Sequence, residues 1–303
     1  MRSIFANSVK DIAEKDIKTV FLTGDIGFNA LEEVRFALKD RFINMGVAEQ
    51  GMISVAAGIA TRGYQVFCYS IAPFITYRCL EQIRNDACFH DLPVYIVGNG
   101  GGYGYGIMGS SHHALEDIAI LSGLPNMHCY VPSFDEDVDL CLNDIILNRK
   151  PAYLRLGLAK PNKFPKKSTE FFTRLTSAEN PKVTIACSGP VIHNVFSAIS
   201  ENNLAQFIEV FNISKIPYGN FTNDFLNSLT RTKKLIVVEE HISVGGIGQQ
   251  LACDLLSGGI HVDVFKTLYA KGYPSGRFGN QQYHMQQSGI DKDSISKTIS
   301  ELL

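Results

Sequence analysis

The sequence predicts an α/β fold of two doubly wound domains, with mainly parallel sheets and helices on both faces of each sheet. Short continuous apolar runs alternate with helical patterns along almost the whole chain. Such runs are typical of parallel strands that helices bury on both sides. The pattern breaks once, in a stretch rich in proline and lysine. We therefore predict one domain over residues 1–160, a linker over 161–182 and a second domain over 183–303.

The individual elements follow from the apolar pattern along the chain. In the first domain we predict strands over residues 19–22, 65–69, 93–98, 128–131 and 153–156, and helices over 49–60, 74–89 and 133–147. In the second domain we predict strands over 183–187, 207–211, 235–239 and 262–265, and helices over 191–200, 221–229, 248–257 and 294–303. Ser133 and Glu136 have the spacing of a capping box, in which the two side chains satisfy free amide groups at a helix start.

Composition narrows the classes of function. The net charge of -2 and the lack of a long basic run argue against nucleic acid as a partner. No apolar run is long enough to span a membrane and no signal peptide is recognisable, so we expect a cytoplasmic protein. The seven cysteines include no CxxC pair, which favours reduced, buried thiols. Charged residues make up only 19% of the chain, which fits either an obligate oligomer or a large α/β core.

Glu49 stands at the start of an apolar helix made largely of small residues. A carboxylate at a helix start is stabilised by the helix dipole, and this structural role alone explains many such residues. The rest of the helix offers almost no polar surface, so we expect it to be buried. A buried carboxylate needs a partner or an altered pKa, and such an arrangement suits a group that shares a proton.

Two further segments carry side chains with possible chemistry. Phe74 and Tyr77 share one helix face, which fits either core packing or a platform for a flat heteroaromatic ring. The glycine-rich loop over residues 98–106 follows a strand, at the edge where open α/β sheets bind ligands, but it does not match a P-loop. His112 and His113 precede a helix with a spacing that argues against a metal site. Either general acid–base catalysis or a backbone hydrogen bond fits such a histidine.

The second domain has one notable turn. Glu239, Glu240 and His241 follow a predicted strand, and a glycine-rich turn over residues 245–248 opens the next helix. The turn fits either an anion site at the helix start or a plain strand-to-helix connection with an interface role, and we favour the second.

In their order and spacing, these segments resemble the transketolase family, and in particular its split form, in which the C-terminal half is a separate polypeptide. The resemblance rests on residues 44–64, 69–86, 108–133, 151–157 and 237–252. It implies an enzyme that uses thiamine diphosphate to transfer a two-carbon ketol unit between sugars. The first domain would then be the pyrimidine-binding domain and the second the transketolase C-terminal domain.

The resemblance also implies a partner subunit. Members of the family hold the diphosphate and a divalent metal through a GDG…N motif in the N-terminal half, and residues 24–27 do not match it. We therefore expect an N-terminal transketolase subunit that carries this motif and holds most of the contacts to Mg²⁺ or Ca²⁺. The active site would lie between the two chains, and self-association would give a heterotetramer.

Cofactor contacts carry over residue by residue. Glu49 matches the catalytic glutamate that hydrogen-bonds N1′ of the aminopyrimidine and favours its imino tautomer. Phe74 matches the aromatic residue that stacks on the pyrimidine ring, and Tyr77 a second aromatic residue in that pocket. Asp25 stands where the family has an aspartate near the cofactor.

The substrate-binding residues of the family match this chain less completely than its cofactor-binding residues do. His112 matches a catalytic histidine that contacts substrate hydroxyls and relays protons. His113 replaces the glutamine that follows it in the family, and we predict that both histidines and Tyr103 bind substrate.

Three polar positions of the family are replaced in this chain. The acidic residue four before the histidine is Met108, a loop histidine falls at Gly100, and the phosphate-binding arginine falls at Leu158, with Arg155 nearby. Because charge-assisted hydrogen bonds are strong, their loss predicts weak affinity for ordinary sugar phosphates. We expect an unusual substrate, either a sugar without the terminal phosphate or a nucleotide-linked sugar.

Two alternatives stay open. The first is decarboxylating acyl transfer, as in the beta subunit of 2-oxoacid dehydrogenases or in deoxyxylulose phosphate synthase. The second is a non-catalytic regulatory paralogue, which the departures around His112 allow and the presence of Glu49 and Phe74 argues against.

Overall fold

The computed structural model describes residues 1–27, 30–157 and 170–303. The first part of the chain contains α1 (Arg2–Lys15), β1 (Thr19–Thr23), α2 (Glu32–Leu38), β2 (Phe42–Asn44), α3 (Glu49–Ala60), β3 (Gln65–Ile71), α4 (Ala72–Thr76), α5 (Leu80–Gln82), β4 (Val94–Asn99), α6 (Asp117–Ser122), β5 (His128–Tyr130), α7 (Asp137–Asn148) and β6 (Ala152–Leu156). The second part contains β7 (Phe172–Arg174), β8 (Val183–Ser188), α8 (Ile192–Glu201), β9 (Ile208–Ile213), β10 (Lys215–Ile216), α9 (Asn223–Thr232), β11 (Lys234–Glu239), α10 (Ile247–Ser257), β12 (Val264–Leu268), α11 (Gln281–Ser288) and α12 (Lys292–Ser300). Short 3₁₀ turns lie at Lys39–Arg41, Gly106–Met108 and Ala205–Phe207, and a π-helical turn at Ile83–Cys88.

Two sheets organise these elements. The first has the strand order β10-β5-β6-β4-β3-β1-β2, and all its neighbouring pairs are parallel except β10 with β5. The second has the order β12-β11-β8-β9-β7 and is parallel except for β7 with β9. The predicted α/β class with two mainly parallel sheets is confirmed.

Helices cover both faces of the first sheet because successive strand residues point to opposite sides. Val66 and Cys68 of β3 belong to the same buried cluster as Met52 of α3. Phe67, between them in the chain, packs on the other side against Phe5 of α1, with the two ring centroids 6.2 Å apart. This alternation produces the continuous apolar strands seen in the sequence.

The division between the domains is less simple than the sequence suggests. β10 comes from the second half of the chain but extends the first sheet, with Lys215 opposite Tyr130. β7 lies within the stretch predicted as a linker, where Phe172 packs against Phe225 with ring centroids 4.8 Å apart. Residues 161–169 of that stretch lie outside the described residues.

One predicted helix is divided. The sequence predicts a single helix over residues 74–89, but the chain forms α4, α5 and then the π-helical turn over Ile83–Cys88. The single-helix prediction is therefore wrong. No proline or glycine occurs between residues 74 and 89 to indicate the break.

The predicted capping box is also wrong. α7 begins at Asp137, and the Oδ2 atom of Asp137 accepts hydrogen bonds from the amides of Ser133 and Phe134, each at 3.2 Å. The Ser133 hydroxyl instead donates to Oδ1 of Asn212 at 2.6 Å. Asp137, the first residue of the helix, thus accepts the amide hydrogen bonds at the helix start in place of the predicted Ser133–Glu136 pair.

Two further predictions concern the interior. All seven cysteines are free thiols, and all are buried except Cys253, which is exposed. Within residues 1–27, 30–157 and 170–303, no helix has the length and apolar character needed to cross a membrane.

Candidate active site

The candidate site lies where strands of the first sheet end. Asp25 follows β1, Glu49 opens α3 after β2, Phe74 lies in α4 directly after β3, and His112 lies in the loop after β4. Because these strands are parallel, their carboxyl ends meet at one edge of the sheet. The fold therefore places four residues that are far apart in the sequence at the same edge of the sheet.

Glu49 is a buried carboxylate with two partners. Its side chain is 2% exposed. Oε1 accepts a hydrogen bond from the Ser70 hydroxyl at 3.0 Å, and Oε2 forms an ion pair with Nη1 of Arg78 at 3.1 Å. Burial, with the nearby Glu49 charge, raises the pKa of the Cys79 thiol to about 12. The arrangement fixes the orientation of the Glu49 carboxylate at the start of its helix.

The α3 helix is buried on one face only. Glu49, Met52, Ile53, Ala56, Ala57 and Ala60 form the buried face. Gly51, Ser54 and Gly58 lie on the exposed face. The expected burial of the whole helix is therefore wrong for the single chain, although the environment expected for Glu49 is present.

Phe74 presents a half-buried ring beside Glu49. The guanidinium carbon of Arg78 lies over the Phe74 ring, 4.6 Å from its centroid. The ring of His112 meets Phe74 edge-on, with centroids 5.0 Å apart and planes inclined at 64°. The predicted aromatic platform thus lies between a carboxylate-bound arginine and a histidine.

Tyr77 ties this platform to the loop after β4. Its hydroxyl donates to Oε2 of Glu116 at 2.8 Å and accepts from the Glu116 amide at 3.1 Å. Burial raises the pKa of Tyr77 well above its ordinary range, so the phenol stays protonated. The hydroxyl is engaged within the protein, which leaves the ring of Tyr77 as its possible contribution to a cofactor pocket.

The adjacent histidines occupy opposite environments. His112 is partly exposed, and its Nδ1 lies 3.0 Å from the Ser111 hydroxyl. His113 is 2% exposed, with Nδ1 2.8 Å from the Tyr273 hydroxyl and Nε2 2.8 Å from the Gly106 carbonyl. Burial lowers the pKa of His113 to about 4, so its ring is neutral at pH 7.

Tyr103 is likewise committed to the contact between the domains. Its side chain is buried, its hydroxyl donates to the Gly272 carbonyl at 2.9 Å, and its ring stacks on His284 at 4.9 Å. His113 also reaches the second domain through Tyr273. The geometry gives no support to the predicted substrate contacts of Tyr103 and His113.

Asp25 lies at the rim of a separate cavity of about 230 Å³. Its backbone has φ of 57°, and its amide donates to Oδ1 of Asn44 at 3.0 Å. The Asn44 amide group returns a bond to Oδ1 of Asp25 at 3.0 Å. Asp25 is exposed, so its carboxylate is open to a cofactor or to a partner chain.

Comparisons with known proteins identify the family of this chain. A model of the transketolase pyrimidine-binding domain matches residues 1–160, more than half of the chain. The chain belongs to the transketolase family. One of the subunits of apulose-4-phosphate transketolase from Phocaeicola vulgatus is 27% identical over 312 residues, covering 100% of this chain and 97% of the relative.

Other relatives of this transketolase-family chain extend the comparison. The structure of a split-gene transketolase, described as an inactive beta4 tetramer, is similar with a TM-score of 0.83 and 25% identity, covering 100% of this chain and 97% of that one. The 1-deoxy-D-xylulose-5-phosphate synthase of Clostridium perfringens is 27% identical over 99% of this chain, but only 49% of its own length is covered.

Arg155 is a buried structural group in this transketolase-family chain. It forms an ion pair with Asp117 at 3.0 Å and donates to the carbonyls of Ala114 and Glu240. Its side chain is only 6% exposed. Arg155 is therefore engaged by internal contacts, and Leu158 lies outside the described residues.

The turn after β11 is a plain connection. The amides of Ile247 and Gly248, at the start of α10, donate to the Glu239 carboxylate at 2.8 and 2.9 Å. Burial raises the pKa of Glu239 to about 7, against the lowering effect of these amides. The carboxylate of the chain itself thus occupies the helix start where an external anion was considered.

Sequence reasoning did not identify Arg78 and Ser70. Arg78 follows Phe74 by four residues, so helical spacing could have placed its guanidinium near the platform. Ser70 ends a buried strand and carries no such signal. Among the residues that the structure describes, no group of three or more histidine, cysteine or acidic side chains is arranged to bind a metal.

Proposed function

We propose that this chain is the C-terminal subunit of a split transketolase, which transfers a two-carbon ketol unit between sugars together with an N-terminal subunit. The proposal depends mainly on one observation. A buried carboxylate (Glu49), an aromatic ring (Phe74) and a partly exposed histidine (His112) lie at one edge of the first sheet. The names of the relatives support the reaction class. The expected cytoplasmic location rests on the sequence alone.

The residues fit the pyrimidine side of thiamine diphosphate. Glu49 offers a buried, oriented carboxylate to a ring nitrogen, and Phe74 offers a flat apolar surface beside it. Mg²⁺ or Ca²⁺ beside the diphosphate needs oxygen ligands, which we assign to the partner because residues 24–27 do not match the GDG…N motif of the family. When bound, the cofactor supplies the nucleophilic carbon that carries the two-carbon unit.

The side chains of this subunit then have distinct tasks. Glu49 holds a proton at N1′ of the pyrimidine, and the Ser70 hydroxyl keeps the carboxylate oriented. Phe74 supports the ring. His112 exchanges a proton with a substrate hydroxyl, because it is partly exposed and lies next to the platform.

A protein partner also fits the surface around Glu49. Val47 is 77% exposed and Val55 is 41% exposed, beside the small residues on the open face of α3. Small side chains allow a second backbone to approach closely, and exposed apolar residues favour burial. The similar split-gene transketolase is inactive as a beta4 tetramer, which supports a requirement for a second kind of subunit. We expect a heterotetramer of the two.

The substrate is proposed to differ from ordinary sugar phosphates. Met108 is 55% exposed where the family has an acidic residue, and Arg155 is occupied by internal contacts. A sugar without the terminal phosphate at that place, or a nucleotide-linked sugar, would not need the arginine. If the complex used xylulose 5-phosphate and ribose 5-phosphate with the efficiency of ordinary transketolases, this substrate proposal would be wrong.

The reaction class is tested with the purified two-subunit complex. We expect two-carbon transfer from a ketose donor to an aldose acceptor without release of carbon dioxide. Release of carbon dioxide from pyruvate, with acyl transfer, would favour the synthase-like alternative that the similarity to deoxyxylulose phosphate synthase supports. Inactivity with every donor, despite normal assembly and cofactor binding, would favour the regulatory paralogue.

A further inference from the structure

Arg78 makes both of its prominent contacts with groups that the proposed function assigns to the pyrimidine. Its Nη1 atom pairs with Oε2 of Glu49 at 3.1 Å. The same guanidinium lies over the ring of Phe74, 4.6 Å from the centroid. One guanidinium group thus hydrogen-bonds the carboxylate and also lies over the aromatic ring.

An aminopyrimidine would contact the same two residues in the same way. It would present a ring nitrogen to Glu49 and a flat face to Phe74. Guanidinium groups stack on aromatic rings and bond carboxylates in their own plane, so Arg78 reproduces both contacts. We propose that Arg78 is an internal substitute for the pyrimidine, which holds Glu49 and Phe74 in the separate subunit and is displaced by the cofactor.

The burial of the Glu49 carboxylate explains why such a substitute is useful. Glu49 is 2% exposed, and a buried carboxylate without a partner is costly. Arg78 keeps that carboxylate paired while no partner subunit is present. The Arg78 side chain is 43% exposed, so its charged end can move into water without being buried elsewhere.

Displacement has a consequence for affinity that a purely structural role does not have. If Arg78 competes with the pyrimidine, the apparent dissociation constant equals the intrinsic constant divided by the fraction of molecules in which Arg78 has left the site. Removal of Arg78 should therefore tighten cofactor binding. A residue that helped to hold the cofactor or to orient Glu49 would have the opposite effect.

The experiment is titration calorimetry of thiamine diphosphate into the two-subunit complex at saturating Mg²⁺. We expect Arg78→Met to lower the dissociation constant by roughly two- to fivefold, because a partly exposed ion pair contributes up to about 1 kcal/mol. Arg84→Met is the matched control, because the Arg84 guanidinium lies 4.7 Å from the Phe89 ring in the same region. We expect no change in that variant.

A second measurement concerns the separate subunit. Arg78→Met should lower its melting temperature, since Glu49 loses its ionic partner, whereas Arg84→Met should not. Should Arg78→Met fail to fold, Arg78→Lys keeps the charge without the planar group, and we expect cofactor binding about twofold to threefold tighter.

The outcomes separate this inference from the proposed function on which it rests. Normal binding by the unaltered complex, with weaker or unchanged binding in the Arg78 variants, overturns the substitute role and leaves the proposed function standing. Failure of the unaltered complex to bind thiamine diphosphate overturns the proposed function, and the role of Arg78 with it.

Discussion

Two clusters of polar and aromatic side chains differ in their access to solvent. The open cluster consists of Glu49, Phe74, Arg78 and His112, in which Arg78 and His112 reach the surface. The sealed cluster consists of Tyr103, His113, Arg155 and Glu240, all of them buried between the two domains. Both contain aromatic rings, a carboxylate, an arginine and a histidine.

The same types of residue therefore stabilise the fold in one cluster and are available for chemistry in the other. In the sealed cluster, Glu240 accepts bonds from the Tyr103 amide at 2.8 Å and from Gln281 at 2.9 Å, and Arg155 reaches two carbonyls and Asp117. Such a network holds the domains together, but most of its hydrogen-bonding groups are already used and are not available to a ligand. In the open cluster, His112 is partly exposed and the ring of Phe74 is covered by Arg78, which we propose that the cofactor displaces.

The largest effect is expected in the open cluster. Glu49→Gln removes the charge that would hold a proton at the pyrimidine, so turnover by the two-subunit complex should fall by about a thousandfold. Steady-state rates measure this loss, and the melting temperature checks the fold. Glu81→Gln, an exposed glutamate in α5, is the control. Wild-type turnover by Glu49→Gln would remove Glu49 from the mechanism.

In the sealed cluster, a large loss of stability is expected instead. Arg155→Met leaves Asp117 buried without its ionic partner, and Asp117 is 0% exposed. Breaking such a pair costs about 3–5 kcal/mol in the free energy of unfolding, which urea denaturation measures. Lys10→Met, which removes a more exposed ion pair with Glu33, should cost less than about 1 kcal/mol. Equal losses would contradict the distinction between the clusters.

His112→Gln should separate chemistry from stability. The side chain is partly exposed and its polar contact is with the neighbouring Ser111, so the melting temperature should change little. The loss of proton exchange should lower kcat/KM by about a hundredfold. His113→Gln is the comparison variant, since that histidine is buried and bonded at both nitrogens. A drop in melting temperature for His112→Gln, with normal kinetics, would assign it a structural role.

The smallest effect concerns pH. Burial lowers the pKa of His113 from 6.5 to about 4, so the unfolded chain takes up the proton first as pH falls. The stabilising contribution of the neutral ring is complete above pH 6.5 and is lost between pH 6.5 and 4. We expect His113→Phe to reduce the decline in melting temperature between pH 7 and pH 5. An unchanged slope would contradict the assigned environment of His113.

The sequence was sufficient for elements whose pattern is local. The predicted bounds of α3 are the observed ones, because apolar and small residues make up the whole of its run from Gly51 to Ala60. The central strands carry continuous apolar runs that only a sheet covered on both faces requires. By contrast, β7 and β10 have three and two residues, too few to produce a recognisable period.

The separation of the two histidines could not be predicted in the same way. His113 is buried because Tyr273, 160 residues further along, meets its ring. The role of Arg155 likewise depends on Glu240, 85 residues away. Spacing indicates which residues share a helix face, but it does not show which of two neighbours faces another domain.

We propose that the open cluster is one half of a cofactor site and that another chain completes this site. Its most direct test is thiamine diphosphate binding, by titration calorimetry with and without Mg²⁺, for this chain alone and for the complex with an N-terminal transketolase subunit. We predict tight, metal-dependent binding by the complex and none of comparable strength by this chain. Tight binding by this chain alone would contradict the claim, because the diphosphate site would then lie within it.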